Sequence, residues 1–121
     1  MTNYKTLKAW TLSMEIVKEG YTLTKLYPAE ERFGLISQTN RAIVSIPTNI
    51  AEGMGRGSFK DTIHFLHISR GSAYETETLL NVALMTKIID QCALDGLNIK
   101  LEETIKIING LIKYLENKSK V

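Results

Sequence analysis

Leu97, Leu101, Ile105, Ile108, Ile112 and Leu115 recur every three or four residues, flanked by Ile107, Leu111 and Tyr114. That period lays one apolar stripe along a long helix, whereas a strand needs alternation. Leu7, Trp10, Met14, Val17, Tyr21 and Thr24 repeat three-four-three-four-three, the period of a bundle seam, and Leu12, Ile16 and Leu23 widen that stripe. Two parallel stripes run between Phe59 and Lys87: Phe65, Ile68, Ser72, Glu75, Leu79 and Val82, and beside them Leu66, Ser69, Ala73, Thr76, Leu80 and Ala83. A fourth stripe, Leu35, Ala42, Ile46 and Ile50, completes the set. A striped helix must bury its stripe, and short connections make sequence neighbours antiparallel. The chain is therefore expected to form an all-α, antiparallel, up-down-up-down four-helix bundle, one domain over residues 1–121. Stripes wider than one bundle core requires also predict association through the sides.

Local signals set the ends. The first helix should run from Leu7 to Leu26 and stop at Tyr27-Pro28, because the residue before proline is forced out of helical conformation. Gly20 inside it marks a close helix contact. Pro28-Ala29-Glu30-Glu31 reads as the first turn of a connecting segment. The second helix should span Leu35 to Glu52. Ser58, with Asp61 three residues on, caps a third helix from Phe59 to about Lys87, in which small residues from Ser69 to Ser72 let a neighbouring backbone approach. Asp90 caps the fourth, Gly96 leaves room for a second short break, and Lys113, Lys118 and Lys120 suit its negative end.

The stretch Phe33 to Ser58, FGLISQTNRAIVSIPTNIAEGMGRGS, departs from an ordinary amphipathic helix. A polar line of Gln38, Arg41, Ser45, Asn49 and Glu52 runs close to the buried stripe, and Pro47 removes a hydrogen bond from the carbonyl of Ile43. The expectation is a structural polar seam of Gln38, Arg41, Ser45, Asn49, Ser72 and Glu75. In it Ser45, Thr48 and Asn49 satisfy one another and the freed carbonyl, and Arg41 pairs with Glu75 across two helices.

Composition excludes several classes. With 44% hydrophobic and 23% charged residues the chain is neither disordered nor membrane-spanning. A net charge of +2 permits a nucleic-acid partner without demanding one. One cysteine, Cys92, excludes an internal disulfide, and the lack of a signal-like start makes the cytoplasm the expected compartment. Asp61-x-x-His64 with His67 lacks the second motif and facing glutamates of a di-iron bundle, so no metal site is expected. Cys92 has no base near it in sequence and reads as a small packing residue. Gly53-Met54-Gly55-Arg56-Gly57-Ser58 lacks the ending and the preceding strand of a nucleotide-binding P-loop. What remains is a weak anion site at Arg56, Ser58 and Lys60, beside the free amides of a helix start, or simply a cap and a loop.

These residues also carry a family resemblance. Leu7-x-x-Trp10, Tyr27-Pro28-x-x-Glu31, Gly34-Leu35-x-x-Gln38, Arg41-Ala42-x-x-Ser45-Ile46, Asn49-Ile50-Ala51-Glu52-Gly53, Arg56 and Arg70-Gly71-Ser72-x-x-Glu75 follow one pattern. It resembles the four-helix-bundle proteins encoded in 23S rRNA intervening sequences, also labelled S23 ribosomal proteins. The accessory variability determinant of diversity-generating retroelements is similar in fold. The resemblance covers nearly the whole chain, though its carboxy-terminal third matches only in general pattern, and Asn40 stands where a second basic residue is usual. It implies a bacterial, ring-like homopentamer with a link to RNA or DNA, and it supplies no catalytic residue. The resulting expectation is a non-enzymatic homo-oligomer that binds nucleic acid weakly and without sequence preference, with no cofactor and no small-molecule substrate. The alternatives are a protein–protein adaptor and a small enzyme using Arg41, Asn49 and Glu75.

Overall fold

The computed structural model describes residues 3–120. Four helices account for most of them: α1 (Lys8–Thr24), α2 (Leu35–Met54), α3 (Phe59–Met85) and α4 (Gln91–Ser119). Short 3₁₀ turns at Tyr4–Thr6 and Ala29–Glu31 precede α1 and α2. Each end has a local cause. Leu7 and Tyr27-Pro28 bracket α1, while Glu31 Oε1 accepts from Leu35 N at 3.2 Å and so caps α2. Ser58 Oγ accepts from Asp61 N and Asp90 Oδ1 from Ala93 N, which makes both the expected N-caps. Lys87 adopts a left-handed conformation (φ 65°) after α3, letting Ile88 N donate back to Ala83 O at 2.8 Å. No break occurs at Gly96: α4 continues through it for 29 residues, about 43 Å at the usual rise.

Cross-helix contacts fix the topology. Gly20 meets Ile43 and Thr24 meets Asn40, so α1 and α2 run in opposite directions. Thr62 bonds Gly53 and Ser69 bonds Ile46, which reverses α3 against α2. Arg70 reaches Asn109, while Phe59 and Lys118 line one cleft, which reverses α4 against α3. The ring closes where Lys8 pairs with Glu103, and Lys100 with Glu15 and Glu19. The hydrogen bonds from Lys100 to Glu19 and then Glu15 hold its ammonium pKa above the ordinary lysine range. Each helix touches its two sequence neighbours around the ring, and the diagonal pairs stay apart.

Ile16, Ile43, Ile46, Ile50, Leu66, Leu80, Leu101 and Ile108 fill the centre, all fully buried. Tyr27, Leu35 and Ala83 form a smaller cluster at the end that holds the α1–α2 connection. The core also contains hydroxyls. Most donate to a carbonyl one helical turn back, as Thr76 and Thr104 do. Thr39 Oγ1 is buried and has no partner among the described residues. Losing water without gaining a bond is costly, so Thr39→Val, which keeps the shape, is expected to stabilise the protein by about 1 kcal/mol. Chemical denaturation of the two proteins checks this, and a lower midpoint for the variant would contradict it.

Candidate functional site

The α2–α3 contact is built from small residues. Ser69 Oγ donates to Ile46 O at 2.8 Å and Thr62 Oγ1 to Gly53 O at 2.7 Å, both buried. Ser72 Oγ donates to Ser45 Oγ at 2.8 Å, and Asn49 Nδ2 donates to Ser45 Oγ and Ser45 O. This brings together the inner half of the expected polar seam, Ser45, Asn49 and Ser72. The outer half is corrected: Gln38, Arg41 and Glu75 are exposed, and Arg41 forms no ion pair with Glu75. The reason lies in the packing. With serines between them α2 and α3 approach closely, so the stripe through Leu66, Ser69, Ala73 and Leu80 takes the centre. The parallel stripe is left at the rim, where Ile68 and Val82 are also part-exposed. Solvent carries the two charges, and the cost of a stranded buried ion does not arise. Around Pro47 Asn49 and Ser45 satisfy each other as expected, but the freed carbonyl is not their target. Thr48 Oγ1 donates to Val44 O, and Asn49 to Ser45 O, rather than to the carbonyl of Ile43. Gly71, expected to admit a neighbour, faces open space.

The anion-site candidates lie at the end of the bundle formed by the α2–α3 turn, the start of α1 and the end of α4. The Arg56 guanidinium pairs with Glu52 at 3.1 Å and stacks 4.5 Å from the Phe65 ring centroid. Ser58 Oγ is occupied by the cap, and Lys60 is exposed. Arg56 and Ser58 line a cleft of about 520 Å³ together with Phe59, Tyr114 and Lys118, whereas Lys60 lies outside its lining. Tyr114 and Lys118 were absent from the sequence-based site because nothing in linear order relates the end of α4 to the α2–α3 turn. Residues 3–8, 52–61 and 113–120 at this end hold seven lysines and arginines against three acids. At the other end residues 19–32 and 86–95 hold three against five. In the same acidic half, burial and then the Glu102 carboxylate raise the pKa of Glu77. A net charge of +2 thus conceals a molecule basic at one end and acidic at the other.

A second surface feature is the groove between α1 and α2, about 860 Å³, lined by Trp10, Met14, Val17, Val44, Pro47 and Ala51. Met14 is 41% and Val44 37% exposed. Cys92, expected to pack, is exposed in the first turn of α4. His64 and His67 are exposed, and His67 Nδ1 lies 2.6 Å from an Arg70 nitrogen. Among the described residues no three of His, Cys, Asp and Glu gather as a metal site would require, and no helix is long and apolar enough to cross a membrane.

Comparison with known proteins places this geometry. A search of curated proteins finds no match. The fold superposes on the 1.70 Å crystal structure of a protein with unknown function from the S23 ribosomal protein family of Bacteroides thetaiotaomicron VPI-5482. The TM-score is 0.81 at 28% identity, over 87% of this chain and 98% of that one. The family model of the 23S rRNA-intervening sequence proteins matches residues 5–110, so the four antiparallel helices and their serine-lined α2–α3 contact are those of a chain that belongs to this family.

Proposed function

We propose that this protein is a non-catalytic homo-oligomeric bundle that binds RNA or DNA through its basic end, weakly and without sequence preference. The observation that carries the reading is the charge separation. Seven cations face three acids at one end and three cations face five acids at the other, an arrangement that attracts a polyanion to the first despite the small net charge. Glu52, Asp61 and Glu116 temper that end and Lys8 is paired with Glu103, so a single copy binds feebly. The apolar α1–α2 groove supports assembly: a second copy laid along it removes Met14 and Val44 from water. A ring-like assembly, a pentamer on the family resemblance, repeats the basic end around an axis, and linked weak contacts raise overall affinity.

The test is fluorescence anisotropy with labelled RNA and DNA across a salt series. Affinity is expected to fall as salt rises, because each neutralised phosphate releases counterions. Arg56→Ala/Lys60→Ala should weaken binding and flatten the log–log salt slope by roughly 1 per chain, since Arg56 is already shared with Glu52. Absence of binding at low salt would favour the adaptor reading, in which the α1–α2 groove takes a different protein.

A further inference from the structure

The cleft at the basic end contains more than charge. Phe59 and Tyr114 line it and are 45% and 54% exposed, although aromatic rings are normally withdrawn from water. Two cations line it as well. Lys118 Nζ sits 5.5 Å from the Tyr114 ring centroid, and Arg56, paired with Glu52, lines the cleft from the α2–α3 turn. The side chains come from two elements, the α2–α3 turn with the start of α3 and the last turns of α4. Proteins that hold single strands use this combination: flat π-faces on which unpaired bases stack, and cations spaced between them for the phosphates. In a duplex each base is already stacked on its neighbours and offers no free face, so exposed aromatics add little there.

We infer that this cleft binds single-stranded nucleic acid by stacking bases on Tyr114 and Phe59, with Lys118 and Arg56 on the adjoining phosphates. The inference rests on the nucleic-acid reading above and narrows it to unpaired strands. Neither base stacking nor phosphate contact involves the sugar 2′ position, so RNA and DNA strands are both substrates for this cleft.

The experiment uses the full chain and four labelled probes at low salt: a single strand in RNA and in DNA form, the corresponding duplex, and an abasic strand of equal length. Wild type should bind both single strands more tightly than the duplex or the abasic strand. Tyr114→Ala and Phe59→Ala should each weaken single-strand binding by about tenfold, leave duplex binding within about twofold, and retain the helical circular dichroism. Tyr114→Phe, which keeps the ring, should bind like wild type. If wild type binds all four probes equally and the alanine variants change nothing, stacking is overturned while electrostatic binding stands. If no probe binds, both readings fall. Tyr114→Phe behaving like Tyr114→Ala would assign the effect to the hydroxyl and also overturn stacking.

Discussion

Gly53→Ala is expected to lower stability by about 1–3 kcal/mol, whereas Gly71→Ala in the neighbouring helix should raise it by about 0.5–1 kcal/mol. The two glycines look alike in sequence and differ in surroundings. A Cβ built on Gly53 would lie 2.9 Å from Phe65 Cβ and 3.1 Å from the Thr62 carbonyl oxygen. Neither atom is the tip of a flexible side chain, so α3 itself would have to move away. That movement stretches the buried bond from Thr62 Oγ1 to Gly53 O and, further along, the one from Ser69 to Ile46. Overpacking of this kind costs ~1–3 kcal/mol, and a weakened buried hydrogen bond adds about 1 more. The helix propensity gained by alanine offsets roughly 1 kcal/mol of the total. At Gly71 nothing lies within 4 Å, so only the propensity gain remains. Thermal melts should separate the variants by roughly 5 °C or more for a chain of this size. Equal melting temperatures would mean that α2 and α3 are not in this close contact.

The second large effect concerns assembly. Size exclusion coupled to light scattering at micromolar concentration should return a mass several times the 13.6 kDa of one chain. Val44→Glu/Met14→Glu should return 13.6 kDa with unchanged helical content. Both side chains are already part-exposed in the single bundle, so charging them does not disturb the core. Under a second copy the same carboxylates would be buried among Trp10, Val17, Pro47 and Ala51, and Arg56, the cation of this groove, is already paired with Glu52. Burying an unpaired charge outweighs the gain from covering a groove of this size. A monomeric wild type would end the oligomer reading. An oligomer that survives both substitutions would move the interface to another face, such as the rim of α3 that carries Ile68 and Val82.

Much of the architecture was legible in linear order. The three-four spacing from Leu97 to Leu115 and from Leu7 to Thr24 encodes helices whatever their neighbours are, because the period belongs to the helix itself. Pro28, Ser58 and Asp90 likewise act on bonds within a few residues of themselves, so their positions predicted the helix ends. Gly20 meets Ile43 as expected, whereas Gly71, equally internal to its helix, faces open space, so a helical glycine by itself does not settle the contact. Failures came where a residue's role depends on which of two adjacent stripes is buried. Both α3 stripes have the helical period, and the choice between them follows from how closely α2 approaches. That distance is set by Ser45, Ser69, Ser72 and Gly53 acting together across two helices. With the approach fixed, Glu75 and Arg41 fall outside, and the buried pair expected of them does not form.

The candidate site divides in the same way. Arg56, Ser58 and Lys60 are visible in the sequence because they crowd one turn. Tyr114 and Lys118 join Arg56 only because α4 runs antiparallel to α3 and is long enough to bring its last turns back beside the α2–α3 turn. The sequence by itself determined four helices, their ends and their order, since these depend on periodicity and on hydrogen bonds within a turn. The tertiary structure alone decided which polar residues are buried, which glycine is crowded, and how a nearly neutral chain becomes basic at one end. Those properties depend on distances between residues tens of positions apart, and only the packed helices set those distances.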